Sequence, residues 1–425
     1  MEPLKEKGIS VEKQNRSWSK IVQKAFNKTD VDCYTRTRQI LMNGIEVEAW
    51  NFKHAFARMC PDLEASKMIA NIRRIEDSQQ TTINWLAPSD QSVLETTLGY
   101  EQVAVDLTAW LAQNEPDEYV KETFDFGLLE DFDHLYRYSQ WYSMEEGKCP
   151  NHILQGNTDV TIGRPTQHHH NDNTLRLRKH YDKLTATPQT KVNILTVLSG
   201  EQQTHNYYAE HGFAYGNNVL RKTYAEIKDV EEEHVTMYES LIDPTESLYE
   251  KLLIHEFTEV CNYYTCYEDE VCDEIKKIWE LFLDFELGHL QAAIKMFEKY
   301  EKRDAQEVIG NKIIIPCRFK SQKEYVAKIL ESEADKRLDE DYKYTIVDNL
   351  PQNWKSYKFQ NEMSKDGSPS EQTIRISQMS GDRDIVLTGN ELKGKEWEIL
   401  EKGLQKQSLA PDTLGSDEYR ELMMN

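Results

Sequence analysis

Residues 101–138 read EQVAVDLTAWLAQNEPDEYVKETFDFGLLEDFDHLYRY, and one hundred positions on, residues 201–238 read EQQTHNYYAEHGFAYGNNVLRKTYAEIKDVEEEHVTMY. The offset aligns Glu101-Gln102 with Glu201-Gln202, Asp106 with Asn206, Asp131 with Glu231, His134 with His234 and Tyr138 with Tyr238. In each stretch an acid stands three residues before a histidine, and positions i and i+3 share a helix face. In each, a glutamate precedes that acid by 30 residues. At roughly 1.5 Å per residue, about thirteen residues up one helix, a short turn and about thirteen down the next return the chain to the same level. Each stretch therefore reads as an antiparallel hairpin, with Glu101 facing Asp131 and His134, and Glu201 facing Glu231 and His234. Glu256 precedes the pair Glu286 and His289 by the same 30 residues, and Glu46 precedes Glu76 by 30, with Gln79 where the histidine would stand.

Working outward, helix breaks fall at Pro61, Pro88, Pro116, Pro188, Gly212 to Gly216 and Asp243-Pro244, each a place where a helix can stop or start. Ser92-x-x-Glu95 and Ser247-x-x-Glu250 have capping-box spacing, and Asp62 and Asp117 put acid in a first turn. The fold class expected is all-α, about eight long helices in four hairpins at 34–84, 89–145, 188–242 and 245–304. An N-terminal extension covers 1–31. The stretch 146–187, with Gly156, Gly163, Pro165 and the run Gln167-His168-His169-His170-Asn171, is too irregular for a helix and too long for a turn, so it reads as a crossover. Past Lys302-Arg303-Asp304 the pattern fades. Ile313 to Pro316 suggests a short extended piece, Gln322 to Leu338 a charged helix, and 305–425 as a whole a small mixed or irregular, partly disordered appendage.

Composition bounds the rest. With 425 residues, 39% hydrophobic and 29% charged, the chain has ample core and is not a disordered polymer. Lys+Arg of 51 against Asp+Glu of 74 gives a net charge of −23, a field that repels nucleic acid and anionic membrane surfaces and attracts cations. Seven cysteines without a CxxC spacing read as reduced thiols. Met1 to Lys20 lacks the apolar centre of a secretion signal, and no stretch approaches the ~18 apolar residues of a membrane span. A cytoplasmic protein is expected.

Carboxylates and imidazoles delivered from facing helices suit a pair of metal ions, which need several anionic oxygens and about one nitrogen each. At this point the sequence resembles the ferritin-like dimetal carboxylate superfamily, in which two helices give one Glu each and the other two give an acid-x-x-His pair. The likeness covers Glu46 to His289 and not the tail. It implies a ferritin-like helical bundle holding two iron or manganese ions. Two pairings of hairpins are open. The second with the third would use Glu101, Asp131, His134, Glu201, Glu231 and His234, joined by the long crossover such folds employ; by resemblance Asp131 and Glu231 would bridge, with Glu101 and Glu201 terminal. The third with the fourth would use Glu201, Glu231, His234, Glu256, Glu286 and His289. Packing topology favours the former, because the tight Asp243-Pro244 turn suits a simple meander. The Glu46, Glu76, Gln79 copy has lost a ligand, and Asp131 departs from the family's usual Glu.

The resemblance implies an oxidoreductase acting on dioxygen or peroxide and an unidentified small molecule, with self-association as a homo-oligomer allowed. Two readings from other classes stand beside it: a metal-storage protein, for which the acidic field would gather cations, and an interaction scaffold with a decayed site. His168, His169, His170 and His180 read as a polar loop, the alternative being a metal-entry or ligand-supporting cluster, and His205 and His255 as partly buried polar side chains, the alternative being contact with the site. Tyr207, Tyr208, Tyr263, Tyr264, Trp110, Trp141 and Trp279 read as core, with a tyrosine near the centre able to relay electrons or to donate to a liganding carboxylate. Cys261, Cys266 and Cys272 read as small buried hydrophobes.

Overall fold

Asp32 turns its carboxylate onto the backbone N–H groups of Tyr34 and Thr35 and so starts α1 (Cys33–Met59). Asp62 and Asp117 do the same for α2 (Leu63–Asn84) and α4 (Glu118–Glu146), sitting at the cap itself, one position ahead of the first turn where spacing had put them. Both capping boxes form, at the heads of α3 (Val93–Asn114) and α7 (Leu248–Asp269). Helix α5 (Pro188–His211) opens on its proline, α6 (Asn218–Glu239) on an Asn217 cap, and α8 (Asp273–Glu301) follows Cys272. The computed structural model describes residues 1–379 apart from 162, 165 and 334. Over these the chain is mostly helical, and no helix is long and apolar enough to cross a membrane.

Each helix packs on its sequence neighbour to make four hairpins, and the hairpins nest. The second and third form one four-helix bundle, α3–α6; the first and fourth form another from α1, α2, α7 and α8. Helices α1, α3, α5 and α7 meet in the middle and join the two bundles. The third and fourth hairpins touch through α5 and α7, and do not share a bundle. The pairing of those two hairpins is therefore not the one adopted. At the α1–α5 crossing a Cβ on Gly44 would lie 2.6 Å from the Ser199 carbonyl oxygen and from the Gln203 side chain, so only glycine allows that approach. Asn43 donates to Gln203 at 2.9 Å beside it.

Between α7 and α8 the chain turns on Glu270, buried against Arg38 Nε of α1 at 3.0 Å, Trp279 Nε1 at 3.0 Å and the Cys272 N–H at 3.0 Å. Burial alone would raise its pKa, but the Arg38 guanidinium and the hydrogen bonds hold it below the ordinary value. A depressed carboxylate stabilises the fold above the unfolded pKa and loses that contribution as pH falls through the folded one. Glu270→Gln is expected to cost about 3 kcal/mol at pH 7 by stranding Arg38. In urea titrations the gap from the parent protein should close in acid; a gap independent of pH would refute the charge argument.

The segment after α8 is more ordered than its composition suggests. Ile313 to Pro316 makes no strand; α9 (Lys323–Glu333) is followed by an antiparallel pair, β1 (Lys336–Leu338) on β2 (Tyr344–Ile346). Then come α10 (Lys355–Met363) and α11 (Pro369–Met379), and α11 lies on α4 and α6. Its grip is polar: Trp141 Nε1 donates to Thr373 at 3.1 Å, and the Ser370 N–H to Glu226 at 3.0 Å. The charged helix expected at Gln322 to Leu338 appears as the shorter α9, which buries Val326 and Ile329, and α11 buries Ile376; β2, α10 and α11 fall where no separate element was expected. The remainder of the expected appendage, from residue 380, lies outside the described residues.

Candidate metal centre

The hairpin spacing brings six side chains to one depth inside the α3–α6 bundle. Glu101 comes from α3, Asp131 and His134 from α4, Glu201 from α5, Glu231 and His234 from α6, all buried. They fall into two triplets, Glu101–His134–Glu231 and Asp131–Glu201–His234, with one donor atom per residue all within 4.8 Å of one another in each. Glu231 spans both: one oxygen lies 2.9 Å from His134 Nδ1, the other 3.3 Å from His234 Nδ1. His234 Nδ1 is also 3.6 Å from Glu201 and 3.7 Å from Asp131. Each imidazole thus turns Nδ1 inward.

Buried carboxylates normally have partners. Here Glu101 Oε2, both oxygens of Asp131 and of Glu201, and Glu231 Oε2 have no hydrogen bond. No lysine or arginine among the described residues pairs with any of the four acids; their partners are the histidines, Tyr208, whose hydroxyl donates to Glu101, and Thr108 beside Asp131. Burial and then the neighbouring acids push the pKa of Glu101 and Glu201 well up, and that of Asp131 up to about 7 despite its histidines. Glu231 goes the other way, held down against burial by His134 and His234. Four acids, two inward nitrogens and six oxygens without donors form a donor set that fits two cations in adjoining triplets.

Further side chains hold these six in place, and most of them were illegible in the sequence. Glu130 accepts from His234 Nε2 at 2.5 Å, which fixes the ring with Nδ1 facing the acids. Glu130 is in turn held by Arg164 Nη1 at 3.0 Å and Arg176 Nη1 at 2.9 Å, both from the crossover and both buried. Burial would raise the pKa of Glu130, but the Arg176 guanidinium, with His169 and His234, holds it well below its ordinary value. His169 from the same crossover is fully buried, its ring 5.4 Å from that of His134, and His170 reaches Glu233 at 3.4 Å. The histidine run is thus part of the wall of the centre. Only the place of Glu130 next to Asp131 hinted at its role; Arg164 and Arg176 have no periodicity to betray them. Glu130→Ala is expected to weaken metal binding about 10–100-fold while leaving the six ligands in place, measured by competition with a chelator; unchanged affinity would deny it a positioning role.

A second cluster occupies the matching level of the other bundle. Glu46 from α1, Glu76 and Gln79 from α2, Glu256 from α7, and Glu286 and His289 from α8 are all buried together. Glu76, Glu256, Glu286 and His289 present donor atoms within 4.8 Å. Glu256, Glu286 and His289 therefore meet the first hairpin, and not Glu201 and Glu231 as the third-with-fourth pairing required. Glu286 repeats the part of Glu231: one oxygen lies 2.9 Å from His289 Nδ1, and the other accepts from Gln79 Nε2 at 2.7 Å. Tyr263 donates to Glu46 as Tyr208 does to Glu101, each tyrosine seven residues after the second glutamate of its bundle. Gln14 of the N-terminal extension accepts from His289 Nε2 at 2.6 Å.

The remaining candidates lie elsewhere. His205 is set against Asn206 and Glu232, and His255 against the Lys251 carbonyl with its ring stacked 3.9 Å over Phe52. Cys261 and Cys266 are buried free thiols, and Cys272 is a half-buried one. No known protein family matches the chain, nor does any curated protein or solved structure.

Proposed function

We propose that this protein is a dimetal-carboxylate oxidoreductase whose centre lies in the α3–α6 bundle. The reading rests on one observation: two acid–imidazole triplets share a buried core in which six carboxylate oxygens lack donors. Leaving four acids buried without countercharge is costly unless they are protonated or matched by cations. Glu101, Asp131, Glu201, Glu231, His134 and His234 would hold two iron or manganese ions. Such a pair supplies one-electron steps at adjacent metals, the chemistry by which dioxygen or peroxide is reduced while an organic molecule is oxidised.

The chain's own residues supply the setting. Glu231, with an oxygen toward each imidazole, keeps the two halves at a fixed separation. The Arg164–Glu130–His234 relay keeps His234 Nε2 protonated, so that Nδ1 stays available on the inside. Tyr208 donates its hydroxyl proton to one oxygen of Glu101, in the middle of α3, and so orients that carboxylate toward the other acids. His169 and the crossover cover the bundle and exclude bulk water.

The test is metal analysis of the purified protein, then oxygen or peroxide consumption by the iron-loaded and manganese-loaded forms. About two ions per chain with turnover of an oxidant supports the proposal. Ions released intact without oxidant consumption would make it a store, and absence of stoichiometric metal would leave a scaffold.

A further inference from the structure

The two clusters have one geometry and opposite electrostatics. In the first, no lysine or arginine reaches Asp131 or Glu201: His234 Nδ1 lies 3.7 Å and 3.6 Å from them, and the Thr108 hydroxyl stands beside Asp131 as a neutral donor. The second also has carboxylate oxygens without hydrogen bonds, both of Glu76 and of Glu256 among them, but here a protein cation stands beside them. Lys53 stands on α1 two turns beyond Glu46, with its ammonium fully buried. Its Nζ forms ion pairs with Glu76, with Glu256 at 3.1 Å and with Glu259 at 2.9 Å. Gln79 Nε2 donates to Glu286 at 2.7 Å and to Glu46 at 3.1 Å, and Tyr263 adds a second donor to Glu46. The matching positions of the first bundle, seven residues after Glu101 and three after Glu201, hold Thr108 and Thr204 where the second holds Lys53 and Glu259.

We infer that the second cluster is a metal site closed from within: the Lys53 ammonium serves as its cation and the Gln79 amide fills the place of its second imidazole. An –NH₂ group has no lone pair to give a metal while it donates to Glu46 and Glu286, so the Glu46 side offers a divalent ion no nitrogen. On the other side Glu76, Glu256, Glu286 and His289 keep a full donor set, but Lys53 binds the oxygens of two of the four. A second cation would have to sit beside a buried ammonium, and like charges at a few ångströms in a dry interior repel strongly. The cluster thus carries a latent divalent site that opens when Lys53 is removed.

This inference rests on the proposed function only for the count of ions in the first centre, and the experiment separates the two. Manganese(II) and cobalt(II) are titrated into the metal-free full-length chain, and bound metal is counted after desalting. The parent protein should bind two ions, Lys53→Met a third, and Lys53→Met/Gln79→His a fourth; adding His289→Ala should remove the gain. The Glu231→Ala/His234→Ala chain, with Lys53 intact, should retain none in the second bundle. A parent protein that binds nothing defeats the dimetal proposal alone, since the gain in Lys53→Met is still read. Metal kept by Glu231→Ala/His234→Ala and lost on adding His289→Ala would overturn the inference, as would a folded Lys53→Met chain that gains nothing. Should Lys53→Met fail to fold, Lys53→Met/Glu259→Gln removes the ion pair as a unit and is read the same way.

Discussion

A chain carrying Glu231→Ala and His234→Ala is expected to purify with essentially no iron or manganese, whereas Glu286→Ala/His289→Ala keeps the full amount. Glu231 is the one acid that reaches both imidazoles, and His234 is the inward nitrogen of the second triplet. Removing both takes the bridge from each half and one nitrogen outright, so the affinity loss should exceed the 10–100-fold typical of outer partners. The second pair of substitutions alters a cluster in the other bundle and touches none of the six ligands. A further reading follows for the metal-free forms. Apo parent protein holds four acids with no lysine or arginine paired to them, and Glu231→Ala/His234→Ala removes one of them together with an imidazole. Metal should therefore raise the unfolding free energy of the parent protein by RT ln(1 + [L]/Kd), about 2.7 kcal/mol at a hundredfold excess over Kd, and do nothing for the double variant. Equal metal-dependent stabilisation of both chains, or loss of metal from Glu286→Ala/His289→Ala, would move the centre out of the α3–α6 bundle.

Lys53→Ala is expected to be the most destabilising single change in the protein away from the centre, by about 3–5 kcal/mol at neutral pH. The ammonium is buried among Glu76, Glu256 and Glu259; deleting it leaves three uncompensated acids and a cavity where the alkyl chain lay. Burial already drives Glu76 up to about 7 with Lys53 holding it down, and raises Glu259 well above its ordinary value. Acids with raised pKa values stabilise the protonated state, so their contribution is present in acid and lost as pH rises through the folded values. The defect in Lys53→Ala should accordingly shrink as pH falls below about 7 and Glu76 and Glu259 take up protons, and Lys53→Ala/Glu259→Gln should recover part of it. Denaturant midpoints across pH 5 to 8 measure this. A flat profile with no recovery would mean that packing, not charge, is what Lys53 provides.

Much of this was readable because helices are local objects. The 30-residue spacing holds in all four hairpins and brings the carboxylates of each to one level, as Glu101 with His134 and Glu256 with His289 illustrate. Caps were readable for the same reason, since Ser92 and Glu95 are neighbours on the chain. The histidines of the crossover were not: a loop is placed by what it lies on, so His169, Arg164 and Arg176 gained their roles only when 146–187 folded over α4 and α6. Tyr208 and Tyr263 were read as core with a donor role open to them, and that donor role is the one seen.

By itself the sequence determined four helical hairpins, the face of each that carries acids and imidazoles, and the loss of one imidazole at Gln79. These follow from periodicity and rise per residue, which involve no contact farther than one hairpin. The tertiary structure alone decided which hairpins share a core, that the first closes with the fourth around the second and third, and that Lys53 enters the resulting cluster. The reason is that an i, i+30 pattern is identical for every partner, whereas hairpin pairing is settled by long-range packing: the close crossing at Gly44, the reach of the crossover, and the match of buried charge between helices two hundred residues apart, as in Lys53 with Glu256.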